Sequence, residues 1–173
     1  MKIITLLIIP LLIINCMDKT KPAEPIKSFE LDKYLGKWYE IARLDHRFER
    51  GLQNVSAEYS LKANGTVKVV NSGFSTKKNK WKCATGKAKF VNDSSIGFLK
   101  VSFFGPFYGS YIIFELDKEN YQYAFIAGNN TSYLWLLSRT PTVSDELMDR
   151  FITHTKELGF NTDNLIFVKQ NKN

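Results

Sequence analysis

From Trp38 to Arg139 the chain is a succession of short β-patterned runs, and this spacing constrains the fold more than any other feature. The candidate strands are 38–44 (WYEIARL), 54–61 (NVSAEYSL), 66–74 (TVKVVNSGF), 81–91 (WKCATGKAKFV), 96–103 (IGFLKVSF), 110–116 (SYIIFEL), 121–127 (YQYAFIA) and 133–139 (YLWLLSR). They are rich in β-branched and aromatic residues. Turn signals separate them, among them Ala63-Asn64-Gly65, Asn92-Asp93-Ser94, Gly105-Pro106 and Gly128-Asn129-Asn130. Eight short strands at regular spacing predict an antiparallel barrel or sandwich. The period then changes. Residues 144–158 put Leu147, Phe151, Thr155 and Leu158 on one helical face, with Thr142 or Ser144 to cap the start and Gly159 to stop it. A short strand at 165–168 follows. The pattern predicts an all-β fold: an eight-stranded antiparallel up-and-down β-barrel with one C-terminal α-helix packed on its outside. A closed barrel of eight strands has room inside for one small ligand.

The N-terminus reads as an address. Lys2 precedes a largely apolar run of twelve residues, 3–14 (IITLLIIPLLII), too short for a transmembrane helix of roughly 20 residues. Cys16 comes next. An apolar run ending in Cys resembles a bacterial lipoprotein signal, although Ile13 and Asn15 depart from the usual Leu and small residue. An ordinary secretory signal is the alternative. The resemblance implies a signal peptide at 1–15, lipidation of Cys16, a polar tether at 16–28 and a folded domain at 29–173. It also implies anchoring in the outer membrane, facing the periplasm. Cleavage there removes Lys2 and lowers the formal charge from +7 to +6.

A basic balance suits nucleic acid, an anionic membrane or acidic ligands. An exported chain without a nucleic-acid motif leaves the last two. Two cysteines exclude a disulfide-dense scaffold, and two histidines give a multi-histidine metal site no basis. Neither a metal nor an organic cofactor is expected. Cys83 has no disulfide partner once Cys16 is lipidated, and it reads as a buried small hydrophobe. Five N-x-S/T sites (Asn54, Asn64, Asn92, Asn129 and Asn130) carry little meaning in a bacterial lipoprotein.

Gly36-Lys37-Trp38 opens the first strand and Arg139 closes the eighth. A G-x-W followed about a hundred residues later by Arg resembles the lipocalin signature. Trp38 would plug the barrel floor, with Arg139 stacked on it and Gly36 permitting the turn. Three longer blocks resemble the bacterial lipocalins of the outer-membrane lipoprotein type, within the calycin superfamily. They are Leu35–Arg43 with Asp45–Leu52, Lys100–Gly109, and Tyr133–Glu146. The turn Asp117–Tyr121 departs from the family's common T-D-Y. The resemblance covers roughly 29–170. It implies non-covalent binding of a fatty acid or lysophospholipid in the barrel, storage or transfer of that lipid in envelope maintenance, and in some members a homodimer.

With Trp38 at the floor, loops 45–51, 75–80, 104–109 and 128–132 gather at the mouth. Period two assigns the lipid-binding pocket to Ala42, Tyr59, Val69, Tyr111, Ile113, Phe125, Tyr133, Trp135 and Leu137. Glu40 shares the inward face with Trp38. An unpaired buried carboxylate is costly, so it requires a tyrosine partner or a shift in the strand. The mouth collects His46, Arg47 and Arg50 on one loop, Lys77, Lys78, Lys80 and Lys82 on or beside another, and Phe104, Phe107 and Tyr108 on a third. Basic groups with aromatics fit an anionic lipid surface; the aromatic loop also suits a dimer interface. Two further classes stand beside the lipid carrier. One is a barrel enzyme using Cys83, for which no catalytic constellation is visible and no catalytic residue is assigned. The other is a non-binding structural envelope lipoprotein, whose barrel large side chains would fill.

Overall fold

The computed structural model describes residues 23–171. The expected signal peptide, Cys16 and the tether up to residue 22 lie outside the described residues. A single turn α1 (Leu31–Tyr34) precedes β1 (Gly36–Arg43), β2 (Leu52–Leu61), β3 (Val67–Ser75), β4 (Lys80–Phe90), β5 (Phe98–Phe104), β6 (Phe107–Leu116), β7 (Tyr123–Ala127) and β8 (Leu134–Ser138). Helix α2 (Asp145–Glu157), a 3-10 turn and β9 (Ile166–Phe167) complete the chain. Consecutive strands pair antiparallel from β2 to β8, and β1 pairs with both β8 and β2. That double pairing closes the barrel and leaves β1 no free edge. Pairing of β1 with β2 ends at Tyr39, and β9 takes up Ala42 and Arg43 beyond it.

Two apolar clusters follow from this closure. The inner one packs Trp38, Tyr59, Val67, Val69, Ala124 and Ile126 inside the barrel. The outer one packs Phe114, Phe125, Leu134 and Leu136 of the sheet against Phe151 of α2. Ser144 caps α2 by accepting from the Leu147 amide at 3.3 Å. Glu115 of β6 ties the helix down through Arg150 (2.6 Å) and His154 (2.7 Å).

Strand β1 carries a bulge between Glu40 and Ala42. The bulge turns Ala42 to the helix side and brings Arg43 inward, which corrects the expected placement of Ala42 in the pocket. Phe125 is corrected likewise. It points outward and meets Phe151 edge-on at 4.9 Å, while its neighbours Ala124 and Ile126 face the interior. Both strands lie under α2 and are buried on both faces, so apolar alternation carries no inside-outside signal there. Cys83 is exposed rather than buried, with Ser72 Oγ 3.4 Å away. Its face of β4 has no helix over it.

The ladder between β4 and β5 pairs only Lys87–Phe90 with Leu99–Ser102. Gly86 ends it. A Cβ there would stand 2.7 Å from the Ser102 carbonyl oxygen and 2.8 Å from the Phe103 ring. Toward the mouth, Lys80–Thr85 are exposed.

Candidate functional site

The barrel encloses a cavity of about 660 Å³ that opens between the mouth loops. Six of the nine residues expected in the pocket line it: Tyr59, Val69, Tyr111, Tyr133, Trp135 and Leu137. Ala42 and Phe125 face the helix instead. Ile113 points inward but is fully buried in the inner core and does not line the cavity. The segment before α1 covers it. Ile26 donates to the Ile113 carbonyl at 2.9 Å and accepts from Gly97 at 2.9 Å, bridging β6 to the residue before β5, which itself accepts from the Ile113 amide at 2.8 Å.

The floor is built by α1 and the start of β1. Arg139 lies 3.9 Å from the centre of the Trp38 ring. Its guanidinium donates to the carbonyls of Lys37 (2.9 Å), Lys33 (2.7 Å) and Tyr121 (3.2 Å). Trp38 donates its indole N–H to the Tyr34 carbonyl at 2.8 Å. Gly36 takes φ of 93°, which the turn into β1 requires. Above this plug, the hydroxyl of Tyr111 meets those of Tyr34 (2.7 Å) and Tyr59 (2.8 Å). Burial pushes all three phenols above their ordinary range, so they are neutral donors and acceptors at the cavity base. Tyr34 was not expected in this role. It lies before the first strand, where alternation gives no signal.

The wall carries a polar cluster that the sequence only hinted at through Glu40. Arg43 donates to Glu40 Oε1 at 2.6 Å and to the Glu49 carbonyl at 2.9 Å. Glu49 Oε2 accepts the Trp135 indole N–H at 3.1 Å and lies 2.8 Å from His46 Nε2. Burial and the neighbouring Glu49 charge push the Glu40 carboxyl well above the usual carboxylate range, against the pull of Arg43. Burial also raises Glu49, but hydrogen bonds from His46 and Trp135 outweigh it and leave that carboxyl below its ordinary value. The two carboxyls therefore titrate as a coupled pair in which Glu40 is the harder to ionise and Glu49 the easier. Glu40, His46 and Glu49 line the cavity; Arg43 stands behind them.

The mouth divides differently from the expectation. His46 is not a free cation at the rim: it is 9 % exposed and packed against Trp135. Arg50 is paired with Asp45 through 2.6 and 2.9 Å contacts. Arg47 lies over the Phe48 ring at 4.9 Å. Lys77, Lys78, Lys80 and Lys82 are all exposed, and Lys82 reaches the cavity. Phe48, Phe104 and Phe107 are 53, 68 and 78 % exposed, and Phe48 stacks on Phe104 across two loops. Tyr108 lies beside Lys87 and Lys89 at 5.8 and 5.0 Å. Trp81, 58 % exposed and edge-on to Phe74, adds a rim aromatic that the sequence pattern had placed only as a strand residue. Cys83 has no histidine beside it: His46 faces Glu49 and His154 faces Glu115.

Residues 29–170 match the family described as lipocalin-like domain. The chain is 56 % identical to an outer membrane lipoprotein Blc of Vibrio cholerae, over 98 % of this chain and 99 % of that one. It is 44 % identical to the protein of that name from Escherichia coli K12, over 92 % and 90 %. Among solved structures, insecticyanin from the tobacco hornworm Manduca sexta superposes with a TM-score of 0.70 at 19 % identity, covering 88 % of this chain and 86 % of that one. That last likeness speaks for the fold alone.

Proposed function

The chain belongs to the lipocalin-like family, and from that premise we propose that it carries a single-chain lipid, a fatty acid or lysophospholipid, in its barrel. The observation that carries this reading is the cavity itself. Its volume lies within the range of about 300–1,000 Å³ typical of small-molecule sites. Apolar and aromatic walls from Val69, Val101, Phe103 and Leu137 suit a hydrocarbon chain. Polar groups gather at the floor tyrosines and the Glu40–Glu49 wall, and Asn71, Ser72, Lys82, Ser110, Asn129 and Asn130 also line the cavity.

Residues 1–15 act as a lipoprotein signal, and a lipidated Cys16 with the tether to residue 28 holds the barrel at the periplasmic face of the outer membrane. The relatives' names, outer membrane lipoprotein, support this placement. Acyl chains on one cysteine give a stable anchor where a single chain would be marginal. The exposed lysines with Phe104 and Phe107 at the mouth suit contact with phospholipid. The role is storage or transfer of envelope lipid, by binding rather than by catalysis.

Native mass spectrometry of delipidated protein, offered a panel of fatty acids and lysophospholipids, tests the reading. One retained lipid per chain is expected. No retained lipid would overturn it.

A further inference from the structure

Resting on the lipid-carrier reading, we infer that the acyl chain enters and leaves the barrel sideways, through a slot in the wall between β4 and β5. A closed barrel pairs every strand on both edges. β4 departs from this over half its length. Lys80–Gly86 pair with β3, but only Lys87–Phe90 also pair with β5. Two features part the strands. Gly86, lacking a side chain, lets the Ser102 carbonyl and the Phe103 ring crowd against β4. On the other edge of β5, the register shift between Val101 and Phe104 bends the tip of the β5–β6 hairpin. Phe103 and Phe104 have no strand partner on β4 among the described residues.

Exposure along β4 marks where the wall is open. Lys82, Ala84, Gly86 and Ala88 share one face by period two, and Ala88 packs in the inner cluster, so that face is the inner one. Gly86 and Ala88 are buried, whereas Lys82 and Ala84 are exposed. Height in the barrel does not account for the difference. Gly73, the β3 partner of Lys82, stands at the same level and is buried. The inner face of β4 is therefore wetted from the β5 side. Lys82, Ala84, Val101 and Phe103 all line the cavity, so the slot leads into it.

The chemistry of the slot suits a hydrocarbon chain. Phe103 and Phe104 offer apolar surface on one side, and Ala84 leaves clearance on the other. Trp81 on β4 and Phe104 and Phe107 on the hairpin are exposed at its margins, as a surface that meets a bilayer requires. Lys82 can keep its ammonium in water while its stem lies along the passage. Above the slot, Phe48 stacks on Phe104 at 6.4 Å and bars part of the mouth. A lateral route spares the chain from crossing water during transfer.

Stopped-flow uptake and release of cis-parinaric acid, a fluorescent fatty acid, by the full chain tests the route. Ala84→Trp plugs the slot and should slow both entry and release about tenfold. A side chain that only took volume from the cavity would speed release and leave entry alone. Asn130→Trp, which crowds the mouth instead, should slow entry less than Ala84→Trp does. If Ala84→Trp does not fold, Lys82→Trp on the same face carries the same expectation. Entry unslowed or release accelerated in the slot variant would overturn the slot and leave the carrier reading standing. So would entry slowed more by Asn130→Trp. A parent protein that takes up no lipid, oleate and lysophosphatidylethanolamine included, would overturn both.

Discussion

Glu40 and Arg43 stand three residues apart on β1, yet their side chains meet at 2.6 Å inside the barrel. In a regular strand, residues three apart point to opposite faces. The bulge between Glu40 and Ala42 removes that parity, so one strand supplies a carboxyl and its guanidinium partner to the same wall. Arg43 is 1 % exposed, and its guanidinium also holds the loop that carries Glu49. The bulge thus couples barrel closure to the polar cluster beside the cavity.

Arg43→Met is expected to destabilise the protein by about 3–5 kcal/mol, because it leaves the buried Glu40 carboxyl without its cation and frees the Glu49 carbonyl. Denaturant unfolding followed by circular dichroism measures this. A loss below about 1 kcal/mol, the size of an exposed pair, would show that the cluster contributes little.

Glu40 also gives stability a pH dependence. Its carboxyl is raised in the folded state, chiefly by burial. The folded protein therefore holds this proton more tightly than the unfolded chain does. Its contribution is complete below the unfolded value near 4.3 and is lost as pH rises through the higher folded value. The stability of the parent relative to Glu40→Gln should fall as pH rises from about 4. Melting both proteins across pH measures the difference, and a flat difference would contradict the raised Glu40 carboxyl.

The fold was legible because strand spacing, turn residues and one amphipathic helix agree with one another. The barrel, the helix from Asp145 and the family were all readable from residue pattern. The inner surface was legible on strands with one wet face and on β8, where Trp135 and Leu137 alternate with Leu134 and Leu136. Tyr59 and Val69 lie on strands of the first kind and line the cavity. Ala42 and Phe125 lie beneath α2, where both faces are apolar, and alternation assigned them inward. Glu40 signalled an irregularity through the cost of its burial, but the bulge and Arg43 were not readable from period two. The roles of Glu49 and His46 were hidden for another reason: loop residues have no periodicity, and both pack with Trp135, 86 residues from Glu49.

At the floor, Arg139→Lys should cost about 1–2 kcal/mol. Lysine keeps the charge but loses the planar stack on Trp38 and the fork that donates to three carbonyls. Chemical denaturation compared with Lys37→Arg, an exposed change on the neighbouring strand, gives the measurement. Equal stabilities would remove Arg139 from the floor plug.

Trp135→Ala should weaken lipid binding about tenfold. It strips one aromatic wall, worth on the order of 1 kcal/mol beyond burial, and removes the donor to Glu49. Calorimetric titration with oleate reads the change. Unchanged affinity would take Trp135 out of the binding surface, whatever its place in the cavity.

The mouth should bind anionic membrane through charge as well as apolar contact. Lys77, Lys78 and Lys80 are exposed on one turn and neighbour the aromatic rim, whereas Arg50 is already neutralised by Asp45. Each basic residue near an anionic surface is worth about 1 kcal/mol, and salt screens it. The triple change of Lys77, Lys78 and Lys80 to Glu should therefore abolish co-sedimentation with phosphatidylglycerol vesicles. Raised salt should weaken the parent's binding, and neutral vesicles should retain little of either protein. The aromatic loop offers a competing use, as a contact between two copies of the chain. Phe107→Ser separates the two. Loss of vesicle binding with unchanged, concentration-independent sedimentation assigns Phe107 to the membrane. A dimer that dissociates only in the variant assigns it to a second subunit.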